Sequence, residues 1–162
     1  METLKYSIIV HEHSDLSELT KTETSLVDKA KEAAEKSYSP YSNFKVGASV
    51  LLDNDEIICG NNQENSAYPS GLCAERVVIF YANAHFPDSH IVAMAVVAKS
   101  NNKFTSEPVY PCGSCRQVMN ETEVRFKAPI KLILAGDSKI HILDNVSQLL
   151  PHGFDKRLLD KK

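Results

Sequence analysis

Three cysteines and one glutamate carry the densest chemistry in the chain. Cys73 and Glu75 stand two residues apart in PSGLCAERVVIF, at the start of an apolar run, and Cys112 and Cys115 form the CxxC of PCGSC. A catalytic zinc site takes three protein ligands and keeps one position open for water. The CxxC spacing lets one helical turn put two thiolates on one ion, and Cys73 supplies the third. If both segments open helices, the unpaired amides and positive dipole end there favour thiolate over thiol. Glu75, on the same first turn as Cys73, can reach a water on that ion without ligating it. A carboxylate so placed accepts a proton and passes it on, as general base and then general acid. Zinc moves the pKa of its water from about 15.7 toward roughly 7. Three thiolates blunt that effect, and Arg76 is spaced to restore part of it by hydrogen-bonding a thiolate.

The same residues admit plainer chemistry. Cys112 and Cys115 could be a redox pair, although the flanking Pro and internal Gly-Ser do not favour it. Cys59 could complete a closed four-cysteine structural site. It lies in the apolar segment EIICG, however, where a small buried hydrophobe is the usual role. His11 and His13 share one side of an extended segment at a metal-compatible spacing, and are read as solvated surface. His85, His90, His141 and His152 show no partner pattern.

The elements that must position these groups follow from periodicity. Residues 4–10 alternate, with Leu4, Tyr6, Ile8 and Val10 on one side, and are expected as a strand. Residues 22–37 read as a helix with Leu26, Ala30, Ala33 and Ala34 on one face, ended by Pro40. FKVGASVLLD (44–53) and EIICGNN (56–62) form a hairpin across a short Asn-Asp turn. A helix is expected from about Cys73 to His85, and IVAMAVVA (91–98) is a strand buried on both faces. A second site helix runs over 112–123, strands cover 130–136 and 139–143, and a short helix starts near Asn145. The order β-α-ββ-α-β-α-β-β-α predicts a three-layer α/β/α sandwich around a mixed sheet of about five strands. Residues 1–21 are expected as an extension adding a strand to the same domain, and 22–162 as a single catalytic domain.

Composition narrows the partners. With 162 residues, 43% apolar and 24% charged, the chain suits one globular domain. No apolar run approaches the roughly 18 residues of a membrane span. The N-terminus lacks the pattern of a signal peptide, so the cytoplasm is the expected location. A net charge of −3 without a dense Lys/Arg block argues against polynucleotide binding but leaves a small nucleoside open. Four cysteines are too few for a disulfide scaffold.

Taken together, CAER, PCGSCRQ and SPYSNFKVGA make the chain resemble the small zinc-dependent cytidine deaminases. The likeness runs from about Ser37 to Phe154 and includes GNNQENSAYPSGLCAER and LLPHGF. It implies zinc on Cys73, Cys112 and Cys115, Glu75 as proton shuttle, and hydrolysis of the exocyclic amine of cytidine or deoxycytidine in pyrimidine salvage. By the same likeness Phe44 packs against the base, Asn62 and Glu64 hydrogen-bond the ribose, and a backbone group at Ser66 contacts the base. An amide and a carboxylate suit a neutral sugar and repel a phosphate. Tyr68 and Phe154 match positions that reach the site from a neighbouring subunit, and the three-cysteine relatives imply a homotetramer. The similar blasticidin S deaminases share the zinc motif, but the GxNxEN pattern favours a nucleoside. The chain departs from the family in the residues before its first helix, in SNNKFTSEP as a surface loop, and in the end of CRQVMNETEVRF. None of these removes a catalytic residue.

Overall fold

The computed structural model describes residues 1–156 and Leu159; residues 157, 158 and 160–162, the tail of the expected catalytic domain, lie outside the described residues. Helix α1 (Lys21–Glu35) starts at Thr20, whose hydroxyl accepts the Glu23 amide at 3.3 Å while the Glu23 carboxylate accepts the Thr20 amide at 2.9 Å. This reciprocal capping box satisfies two otherwise unpaired donors. Glu23 also pairs with Lys131 at 3.1 Å. Burial, the largest single influence, pushes the Glu23 carboxyl up. The Thr20 and Lys131 bonds together outweigh it, and the group ends below its ordinary value of 4.5. A depressed carboxyl stabilises the fold above its unfolded value, and that contribution is lost as pH falls through the folded one. Urea unfolding of wild type and Glu23→Gln should therefore show a gap near neutral pH that closes below the ordinary value of 4.5.

The sheet has the order β1 (His11–His13), β7 (Ile140–Leu143), β6 (Lys131–Ala135), β4 (Ile91–Ser100), β2 (Phe44–Leu52), β3 (Ile57–Asn61), with the short β5 (Lys103–Phe104) on β4. Central β4 is antiparallel to β2 and parallel to β6. Its residues alternate between two cores. Ala93, Ala95 and Val97 pack with Leu26, Val27 and Ala30 of α1. Met94 and Val96 pack on the other side with Val78 and Ile79 of α2 (Ala74–His85) and Met119 of α3 (Gly113–Phe126). Burial on both faces explains the unbroken apolar run of β4. The result is the expected three-layer α/β/α sandwich, with β1 and β5 added to the five main strands. Gly47 lets α1 lie directly on β2, since a Cβ there would sit 2.0 Å from the Ala30 carbonyl oxygen.

Three expectations about elements need correction. Residues 4–10 form no strand, and Leu4, Tyr6 and Ile8 are exposed. The edge strand is His11–His13, paired with Ile140–Ile142 of β7. In that register Val10 falls opposite Leu143, the last residue of β7, and residues 4–9 run past its end, so their alternation meets no backbone edge. The Ile9 amide instead donates to the Gln148 side chain at 2.8 Å. SNNKFTSEP is partly a hairpin: Asn101 and Asn102, at φ 50° and 61°, turn β4 into β5, as two-residue hairpin turns with both φ positive do. The short helix near Asn145 is a single 3-10 turn, Ser147–Leu149.

Candidate active site

The N-termini of α2 and α3 meet on the face of the sheet opposite α1. Cys73 and Cys112 are the N-cap residues of these helices, and neither side chain caps its own backbone. Both thiols are left free for another partner. Cys115, in the first turn of α3, is fully buried. The sulfurs lie 3.8 Å (Cys73–Cys112) and 3.3 Å (Cys112–Cys115) apart, and all three fall within 4.8 Å of one another. A tetrahedral ion with Zn–S bonds of about 2.3 Å spaces its sulfurs by about 3.8 Å, so the cluster fits zinc. The Cys115 thiol stabilises the Cys73 thiolate. Despite burial, that contact, Arg76 and Cys112 bring Cys73 down to about 5. Cys115 shifts upward, because Cys73 engages its proton and because it is buried.

Glu75 sits in the first turn of α2 and is only 4% exposed. Burial pushes its carboxyl up, and the Cys73 thiolate adds to the effect. Arg76 Nη2 approaches Cys73 Sγ at 3.9 Å and donates to the Gly71 carbonyl at 3.4 Å. Its buried Nε has no hydrogen-bond partner among the described residues. A pocket of about 610 Å³ opens over Cys73, Glu75, Arg76 and Cys112. Cys59 faces the other way. It lies exposed on β3, not buried as its apolar segment suggested, beside Lys29 and Glu32 of α1 and its C-cap Lys36, and outside the three-thiol cluster, which removes it as a fourth ligand.

A family model for the cytidine and deoxycytidylate deaminase zinc-binding region matches residues 20–127. The chain belongs to the cytidine deaminase family. Among curated cytidine deaminases, that of Sporosarcina psychrophila is 42% identical over 132 residues, covering 81% of this chain and 90% of the relative. That of Halalkalibacterium halodurans is 37% identical over 137 residues, covering 80% and 91%. The crystal structure of the Burkholderia pseudomallei cytidine deaminase superposes with a TM-score of 0.68 at 36% identity, over 84% of this chain and all of that one. Cys73, Cys112 and Cys115 are thus the residues able to hold this zinc family's ion. When bound, zinc supplies an acidified water and a Lewis acid.

The remaining residues singled out in the sequence divide into two groups. Phe44, Asn62, Glu64 and Tyr68 line the same pocket as Glu75. Ser66 is exposed and is not among the lining residues, and Phe154 is 55% exposed and also lies outside the pocket. Asn62 is committed to the β2 backbone: Oδ1 accepts the Val46 amide at 2.7 Å, and Nδ2 donates to the Phe44 carbonyl at 2.9 Å. One Nδ2 hydrogen remains for a ligand. Glu64 accepts the Tyr41 and Ser42 amides at 2.9 and 3.2 Å and the Ser42 hydroxyl at 2.5 Å. The Ser42 hydroxyl is the main reason that its carboxyl lies below the usual range.

Sequence reasoning passed over Tyr110 and Arg116. Tyr110 lines the pocket. Arg116 ties the CxxC to the C-terminal turn, donating to the Pro111 carbonyl at 2.8 Å and to the Leu149 carbonyl at 3.2 Å. The histidines also have partners that no spacing announced. His11 meets Asp144 and His13 meets Glu18, on an exposed edge, while His90 meets Asp53 at 2.9 Å.

Proposed function

We propose that this chain hydrolyses the exocyclic amine of cytidine and deoxycytidine, giving uridine and deoxyuridine plus ammonia, as a step of pyrimidine salvage. The observation that carries the reading is a buried carboxyl, Glu75, sharing a pocket with a three-thiol cluster of which it is not a member. Glu75 takes a proton from the attacking water and delivers it to the ring nitrogen beside the amine-bearing carbon. As the carbon–nitrogen bond breaks, the same carboxyl carries the remaining proton of the newly attached hydroxyl to the departing amine, which leaves as ammonia while the carbon becomes a carbonyl. Each transfer is general acid–base catalysis by one group. Phe44 packs against the base, and Asn62 with Glu64 reads the sugar hydroxyls. Glu64, held as a carboxylate by Ser42, repels a phosphate at that end, so nucleoside monophosphates are poor substrates.

The catalytic unit in this reading is 22–162, with 1–21 packed on it, working in the cytoplasm. Among the described residues no helix is long and apolar enough to cross a membrane. Tyr68 and Phe154, exposed at 76% and 55% on one subunit, reach a neighbouring site in a homotetramer, while the backbone at Ser66 contacts the base. The test is loss of ultraviolet absorbance from cytidine, deoxycytidine, cytosine, cytidine monophosphate and blasticidin S, using protein assayed for zinc. Turnover of the two nucleosides is expected, with native mass spectrometry giving a tetramer. No deamination of any compound by zinc-loaded protein would overturn the reading.

A further inference from the structure

Tyr110 forms part of the pocket wall two residues before Cys112. Its hydroxyl lies 2.8 Å from His141 Nδ1, and His141 Nε2 lies 3.0 Å from a Glu12 carboxylate oxygen. Glu12 and His141 are directly opposed in the β1–β7 ladder, and His141 is opposed to Leu134 of β6. Leu134 belongs to the core beneath α2 and α3, so this row of side chains lies on the face that carries the site. Exposure falls along the row, from 55% for the Glu12 side chain to 18% for His141. Lys139 approaches Glu12 at 3.6 Å from the solvent side.

The chemistry gives the chain of bonds a direction. An ionised carboxylate only accepts, so His141 donates from Nε2. In the tautomer with that proton on Nε2, Nδ1 presents its lone pair and the Tyr110 hydroxyl donates to it. Similar carboxylate–histidine pairs fix the tautomer and orientation of imidazoles elsewhere.

We propose that strand β1 holds a wall of the substrate pocket in place: Glu12 sets the tautomer of His141, and His141 anchors Tyr110 where the nucleoside binds. This inference rests on the proposed deaminase reading for its substrate, but not for its geometry. Tyr110 is a positioning and specificity residue, and Glu12 and His141 act through it. Losing one such bond costs about three- to tenfold in binding. Tyr110→Phe should therefore raise KM for cytidine by that factor with kcat within about twofold, because the wall binds ground and transition states alike. Glu12→Ala should raise KM about two- to threefold, and Glu12→Gln, which keeps an acceptor oxygen, should restore it.

The deciding measurement is the double-mutant cycle of Glu12→Ala and Tyr110→Phe. The double variant is expected to be no worse than Tyr110→Phe alone. Independent effects that multiply, or single variants with wild-type KM, would overturn the inference. A wild type silent on cytidine would instead count against the deaminase reading. The relay is then read from the His141 ring nitrogens by nitrogen-15 NMR. Their shifts should move in both single variants, and no movement in either would overturn the relay itself.

Discussion

Glu75→Gln protein is expected to keep its zinc and its fold while losing about 10²- to 10⁴-fold in kcat, the usual contribution of a positioned general acid–base. The amide preserves the volume of a side chain that is 4% exposed in the first turn of α2. It cannot accept a proton from water or return one to the ring nitrogen. Zinc content should not change, because among the described residues the metal cluster comprises the three cysteines without Glu75. Thermal stability should not fall, since burying an amide costs less desolvation than burying a carboxyl that must ionise. KM should change far less than kcat, which marks an interaction made in the transition state. Steady-state kinetics with parallel metal analysis checks all of these points. Substantial turnover in a zinc-loaded variant would remove Glu75 from its role.

Cys115→Ala is expected to act through the metal. Cys115 is fully buried and lies 3.3 Å from Cys112, so its loss takes one of the three thiols out of the cluster. Zinc needs three protein ligands in a catalytic site. The variant should lose zinc on dialysis against a mild chelator that leaves the wild type loaded. Turnover should fall by at least roughly a thousandfold, in step with the metal. Cys59→Ala is the matched control. Cys59 lies on the α1 side of the sheet, so its removal should leave zinc stoichiometry unchanged.

The parts of the molecule legible in the sequence are those whose signals are local. The paired runs 44–53 and 56–62, the apolar run of β4 and the cysteines at helix starts each carry their meaning within a few residues. Residues 4–10 show the limit of that reasoning. Their alternation is real, but a strand also needs a free edge. The four-residue β7 provides one only to His11–His13. The link from Tyr110 through His141 to Glu12 spans 31 and then 129 positions, and no spacing rule joins residues that far apart. The same holds for Arg116, whose contact with Leu149 bridges 33 positions. Asn62 is intermediate: its place in GNNQEN marks it for a ligand, yet only the structure reveals that its amide first clamps the start of β2.

Three thiols and one zinc ion per chain are expected to make this pocket a deaminase. Titrating metal-free protein with zinc, and measuring ammonia released from cytidine at each step, tests it most directly. Ammonia production should rise in proportion to bound metal and level off at one zinc per chain. Full turnover by the metal-free protein, or none at full loading, would contradict it.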